Sequence, residues 1–323
     1  MKGFFAKLAD PFLYLFWRAQ FSVLRAFPPL AGIVSSVSIG AANSRMAWIK
    51  ALFRTAVRAP YALWLHWRNK RENRTVLPRA NIVVTTRCTR NCDKCSAHIP
   101  DLKRHEDIPV RDLADDIRTL LSCVDHIYDA YLMGGEPFLH PDMDEIIRTC
   151  AESKKVGHIS VPTNGTVFPA AKVLAALREA KATVKISKYP SAVQPDVERL
   201  KSILKENGVR YTHSSSTFWY DTGGGRPQEG SEKRRFSVCF QQLCFLYLHG
   251  KLSLCGEAGI LMEEGVIPDC REDYIDLRSA GPSSFSEQLR KLMRKRTVSA
   301  CSYCLGYTYK SPKFPVAVQR ESR

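Results

Sequence analysis

The chain has 323 residues, 45% hydrophobic and 25% charged, ordinary values for a globular protein, so a sizeable core is available. That length fits one large domain with additions or two modest domains. The net charge of +16 is uneven: residues 1–75 hold twelve Lys or Arg against Asp10 and Glu72, a net of +10, which points toward an acidic partner surface, anionic lipid or nucleic acid. Eleven Cys invite a disulfide reading, but Met1-Lys2 leads into no short apolar run with a small-residue cleavage site. Reduced thiols persist in reducing compartments. The expectation is a cytoplasmic protein, peripheral at most to the inner face of a membrane.

Residues 1–75 form the first block, a basic amphipathic helical extension. Residues 11–25 are rich in Phe, Leu and Trp with only two charges, and Pro28-Pro29 stops that element. Residues 26–44 are uncharged and long enough to suggest a membrane span, yet two Pro, two Gly, four Ser and Asn43 lower their hydrophobicity. Lys50, Arg54 and Arg58 recur every four residues opposite Trp48, Ile49, Leu52, Phe53 and Val57, the pattern of a basic interfacial helix. Two readings stand: a helical hairpin packed on the next domain, or contact with an anionic membrane. Nucleic acid is not expected, because the aromatics lie on the apolar face and not beside the basic residues.

Residues 78–215 alternate strand and helix patterns. Strand-like runs fall at 81–86, 127–133, 158–161, 183–187 and 209–213, with helical runs at 110–123, 143–152, 170–180 and 194–207 between them. Asp142 and Pro195 mark helix starts, and Gly157 and Gly208 are read as helix ends. Strands alternating with helices imply parallel β-α units. Five or six of them predict an α/β fold built on a partial (β/α)5-6 barrel, short of the eight that close one. Cys123 and Cys150 sit in helical patterns as buried small residues.

Directly after the first strand, Cys88, Cys92 and Cys95 stand at C-x3-C-x2-C spacing. Three thiolates in one short loop can wrap a compact metal centre, and a four-iron cluster with three ligands keeps one iron open. A zinc site with His98 as fourth ligand is the alternative. The second strand-like run ends in Tyr131-Leu132-Met133-Gly134-Gly135-Glu136-Pro137. In an α/β barrel both motifs fall where strands end, the usual place for function.

Together these motifs resemble the radical S-adenosylmethionine (SAM) superfamily over residues 78–215. The resemblance implies that Cys88, Cys92 and Cys95 hold a [4Fe-4S] cluster whose open iron is chelated by SAM. Gly134, Gly135 and Glu136 would lie at the methionine ammonium, with Gly135 and Glu136 receiving it. Thr163-Asn164-Gly165 and Ser187-Lys188 resemble the family's contacts to ribose and carboxylate. A one-electron reductant such as flavodoxin or ferredoxin would reduce the cluster, and cleavage of SAM would yield a 5′-deoxyadenosyl radical that takes a hydrogen atom from substrate. One residue departs from the pattern: Lys94 stands where the family usually has an aromatic beside adenine.

Residues 223–323 change character. Gly223-Gly224-Gly225 reads as a flexible connection, 245–248 and 251–254 flank His249-Gly250 as a hairpin, and the basic tail 310–323 is expected to be mobile. Cys239, Cys255, Cys301 and Cys304 form a second set able to close a cluster completely, resembling the twitch or SPASM extensions that hold auxiliary [4Fe-4S] clusters. Zinc is the alternative there too, and Cys244 and Cys270 remain substitutes or bystanders. The domain boundaries read as 1–75, 76–222 and 223–323.

The layout resembles a radical SAM dehydrogenase of aminocyclitol biosynthesis and radical SAM proteins of glycan loci, the latter through residues 85–88 and Phe218-Trp219-Tyr220-Asp221. This implies an oxidoreductase acting on a sugar-like or cyclitol small molecule, with Lys188, Tyr189, His213, Tyr220 and Asp221 as candidate bases. A peptide-modifying enzyme of the same superfamily is a second reading, and a zinc-binding, membrane-associated scaffold a third.

Overall fold

The computed structural model describes residues 67–214, 218–308 and 310–321. The amphipathic extension expected for residues 1–75 falls almost wholly outside them. No described helix is long and apolar enough to cross a membrane.

The parallel β-α units form where the periodicity places them. Strand β1 is Val76–Leu77 and β2 is Ala80–Thr85. Every residue of β2 is buried, as a strand covered on both faces requires. Helix α1, Val110–Cys123, follows, with Leu113, Ala114, Ile117, Leu120 and Leu121 buried at the spacing of one helical face. Then come β3 (His126–Ile127), β4 (Ala130–Gly134), α2 (Met143–Ala151), β5 (Ile159–Thr163), α3 (Ala171–Glu179), β6 (Thr183–Ile186), α4 (Val197–Glu206) and β7 (Arg210–His213). Cys123 and Cys150 are buried as expected. Gly208 adopts φ +67° after α4 and donates to Lys205 O, the left-handed stop that glycine supplies. Gly157 differs from expectation. It lies six residues beyond α2, in the turn into β5, where a Cβ would sit 3.0 Å from His126 Nε2.

The remaining elements are β8 (Phe218–Tyr220), α5 (Glu232–Ser237), β9 (Phe245–Leu248), β10 (Lys251–Ser253), α6 (Gly256–Glu263), β11 (Tyr274–Asp276), α7 (Pro282–Arg294) and β12 (Lys313–Pro315). One eight-stranded sheet runs in the order β11-β10-β9-β2-β4-β5-β6-β7. The steps from β9 through β2 to β7 are parallel, and β9-β10-β11 are antiparallel. The sheet keeps two free edges, so no closed barrel forms among the described residues. A sixth parallel strand is present, but it is β9 and it joins beside β2, not beyond β7. The predicted hairpin therefore extends the same sheet.

The tail differs most from expectation. Residues 313–315 pair antiparallel with β8, Phe314 opposite Trp219, and residues 318–320 bond to the Cys88–Cys95 loop. The partners lie about a hundred and more than two hundred residues away, so no local pattern marks the pairing. The Gly223-Gly224-Gly225 connection takes three successive left-handed conformations, φ +90°, +61° and +76°, which only glycine adopts without strain.

Candidate functional site

The carboxyl ends of β2, β4 and β5 build the first site. Thr85 Oγ1 donates to Asp107 Oδ1 at 2.7 Å, and the Arg87 guanidinium pairs with the same carboxylate at 2.6 Å. These bonds brace the start of the cysteine loop from one side. On the other side, Gly135 N donates to Thr85 O at 2.9 Å and Glu136 N to Arg87 O at 2.8 Å. The two backbones run so close that a Cβ on Gly134 would lie 1.9 Å from Thr85 O, and one on Gly135 2.0 Å from Arg87 O. The paired glycines are thus a steric requirement of the loop.

Glu136 is fully buried, and its carboxylate points to β5. It accepts from Thr163 Oγ1 at 2.9 and 3.0 Å, from Asn164 N at 2.8 Å and from Phe138 N at 3.3 Å. Burial pushes its carboxyl up to about 7, against the lowering effect of those donors. Glu136 thus clips the end of β4 to the head of β5, beside the Gly134-Gly135 backbone.

All eleven cysteines are free. Burial raises the pKa of Cys88, Cys92 and Cys95, and each feels another's charge: Cys95 on Cys88, Cys88 on Cys92, Cys92 on Cys95. Each sulfur also meets N–H donors. Asn164 Nδ2 lies 3.6 Å from Cys88 Sγ, Gln319 Nε2 lies 3.1 Å from Cys92 Sγ, and the backbones of Ala97 and Ile99 serve Cys95. Hydrogen bonds to sulfur are what a thiolate-held cluster uses to set its potential.

The expected neighbours divide. Tyr189 is brought in: burial raises its hydroxyl first, and the three thiols add to that. Its ring meets Trp219 edge-on at 5.8 Å. Lys94, where an aromatic was expected, pairs with Asp221 at 3.1 Å. Burial raises the Asp221 carboxyl, but Gly223 N–H and Lys94 together outweigh it and hold the group below its usual value. Ser187 N donates to Thr163 O at 2.9 Å, and Gln194 Nε2 ties Asn164 O to Ser187 O at 2.6 and 2.9 Å. Lys188 and His213 are exposed at the ends of β6 and β7.

The second thiol set converges. Cys239, Cys255, Cys301 and Cys304 line one small cavity together with Glu257. Burial pushes Cys239 up to about 12 and Cys255 and Cys304 well above the usual thiol value, with neighbouring thiols adding to it. Tyr307 N approaches Cys239 Sγ at 3.4 Å and Gly306 N approaches Cys304 Sγ at 3.1 Å. Cys244 and Cys270 are not in the lining. Cys244 lies within reach of the charge on Cys239 and on Arg79, and Cys270 N approaches Met262 Sδ at 3.4 Å. Among the described residues no three His, Cys, Asp or Glu side chains stand close enough to hold a single metal ion.

A buried bridge joins the two sets, and no spacing in the sequence marks it. His98 N donates to Cys95 O, and His98 Nε2 lies 2.6 Å from Glu257 Oε2. Burial lowers the imidazole pKa, but Glu257 outweighs it and the net shift is upward. Tyr307 OH donates to Glu257 Oε1 at 3.1 Å. His98 is thus committed to Glu257 and does not face the thiols as a fourth ligand.

A cavity of about 320 Å³ opens beside the first site, lined by Val83, Met133, Gly134 and Leu248 with Arg104, Glu106 and His249. Glu263, whose carboxyl His249 and Lys251 hold down to about 2, also lines it.

Residues 82–215, from β2 through β7, match the family model of the Radical SAM superfamily. No curated protein matches the chain. Among solved structures, BtrN in complex with AdoMet and 2-DOIA is 16% identical over 76% of this chain and 96% of its own, with a TM-score of 0.45. Streptococcus suis SuiB bound to S-adenosylmethionine is 18% identical over 53% of this chain and 39% of its own, TM-score 0.37. AdoMet-bound anSMEcpe is 19% identical over 42% and 43%, TM-score 0.36. The chain spans about two-fifths of the length of SuiB and anSMEcpe.

Proposed function

We propose that this chain is a radical SAM enzyme, with a barrel-like unit at 76–222 and an auxiliary-cluster unit at 223–323. The observation that carries the proposal is the convergence, inside the segment matching the Radical SAM model, of three N–H-supplied thiols with the Gly134-Gly135 backbone at the ends of β2 and β4. The donor set fits a four-iron cluster: three thiolates in the first loop, and four in the second cavity. When bound, the first cluster with SAM would supply hydrogen-atom abstraction, and the second a one-electron acceptor.

The chain's own residues do the positioning. Gly135 lets the cysteine loop lie against β4, and its backbone is the acceptor we assign to the methionine ammonium. Glu136 clips β4 to β5 and thereby places Asn164 against Cys88. Tyr189 supplies the aromatic wall that Lys94 does not, while Lys94 ties Asp221 to the cysteine loop. Lys188, Tyr189, His213, Tyr220 and Asp221 remain the candidate bases, and Ser187 a candidate ribose contact.

We infer a sugar-like or cyclitol substrate and a net oxidation, supported by the presence of a second thiol cavity linked to the first loop through His98 and Glu257. The reductant would be a flavodoxin or ferredoxin type of protein. Anaerobic reconstitution of the full chain tests the reading. Iron in both sites and 5′-deoxyadenosine from SAM are expected, and zinc uptake without iron would leave only the zinc-scaffold reading.

A further inference from the structure

We infer that residues 317–320 are a latch on the cysteine loop, with Gln319 a positioning residue that sets the electron affinity of the site at Cys92. This rests on the reading of Cys88, Cys92 and Cys95 as cluster ligands.

The latch is a short antiparallel pairing. Asp93 N donates to Val318 O at 2.7 Å and Arg320 N to Asn91 O at 2.8 Å, and Cys92 stands opposite Gln319. Asn91 N donates to Gln319 Oε1 at 3.1 Å. That bond fixes which end of the amide is oxygen, so Nε2 faces Cys92 Sγ at 3.1 Å and also donates to Ala317 O at 2.8 Å. Arg320 grips Asp101 with two bonds of 2.7 and 3.0 Å and lies 3.6 Å from Asp93. A bidentate pair of this kind fixes direction as well as distance. Ala317, the first residue of the latch, is almost fully buried in a left-handed conformation.

The donors to the three sulfurs come from different places. Cys88 receives Asn164 from β5, and Cys95 receives its own loop. Cys92 receives an amide from 227 residues away. Reduction adds negative charge that spreads onto the cluster's sulfurs, so an N–H···S bond stabilises the reduced form more than the oxidised one. Gln319 therefore favours the reduced state that the proposed chemistry requires, and the tail must be docked for it to do so.

The test is EPR-monitored potentiometry of the reconstituted full chain, following the cluster signal that SAM alters. Gln319→Leu removes the donor. Gln319→Glu keeps the shape and the bond from Asn91 but cannot donate when ionised. Both should lower the reduced-to-oxidised ratio about threefold at the wild-type midpoint, about 28 mV for one electron. Val318→Ala, which leaves the backbone bonds in place, should not move it. A midpoint unchanged in both Gln319 variants at wild-type iron content overturns the inference alone. A wild-type chain that takes no iron at these three thiols overturns it together with the proposed function.

Discussion

Gly135→Ala is the sharpest steric perturbation the site offers. The added methyl would sit 2.0 Å from Arg87 O, 2.6 Å from Arg87 C and 3.0 Å from Cys88 Cβ, and the obstacle is backbone, which cannot swing aside. Relief requires the loop to lift, breaking the bonds from Gly135 N to Thr85 O and from Glu136 N to Arg87 O. Two such bonds are worth about 1 kcal/mol each, and overpacking adds about 1–3 kcal/mol, so a loss of about 3–5 kcal/mol is expected. For a domain of this size that lowers Tm by roughly 6–20 °C. Cys88 is the residue displaced, so the first site should also lose its iron while the second keeps it. Thermal unfolding and iron analysis on the same preparation read both effects. Gly281→Ala is the steric control, because a Cβ there meets nothing within 4 Å; it should cost only what alanine costs at the N-cap of α7, about 1 kcal/mol, and leave the iron unchanged. A Gly135→Ala protein with wild-type Tm and full iron would refute the close-approach argument.

Glu136 carries a pH signature in the metal-free protein. Its carboxyl is raised from 4.5 to about 7 by burial, so the folded state holds the proton more tightly. The associated stability, ~3 kcal/mol at most, is present below pH 4.5 and lost as pH rises through about 7. Urea unfolding of Glu136→Gln should show a flatter profile across that window, and an unchanged slope would contradict the burial. Replacing Cys301 and Cys304 by Ala should remove about half the bound iron while 5′-deoxyadenosine formation continues; retention of all the iron would contradict the second site. Liposome flotation of the full chain against a chain starting at residue 76 should show binding to anionic vesicles only when the +10 segment is present, with each basic residue worth about 1 kcal/mol near the surface.

Much of the parallel sheet was legible because its signals are local. The run of buried residues in β2, the helical face of α1 and the glycine stop after α4 each lie within a dozen residues. The two motifs were legible for the same reason, and the second thiol set was found from spacing around a hairpin. What escaped is non-local. Nothing near Phe245 says that β9 will pair with β2, and nothing near Gln319 says that it will meet Cys92. The bonds by which Glu136 accepts from Thr163 and Asn164 at the head of β5 span 27 and 28 residues, and no local pattern marks them. Lys94 looked like a defect of the pattern until Asp221 was placed 3.1 Å from it.

The central claim is that Cys88, Cys92 and Cys95 together form the site at which SAM is cleaved. The most direct test replaces all three by Ala and measures iron content and 5′-deoxyadenosine after anaerobic reconstitution and reduction. The account predicts about half the wild-type iron, retained by Cys239, Cys255, Cys301 and Cys304, and no 5′-deoxyadenosine. Continued 5′-deoxyadenosine formation in the triple variant would contradict it.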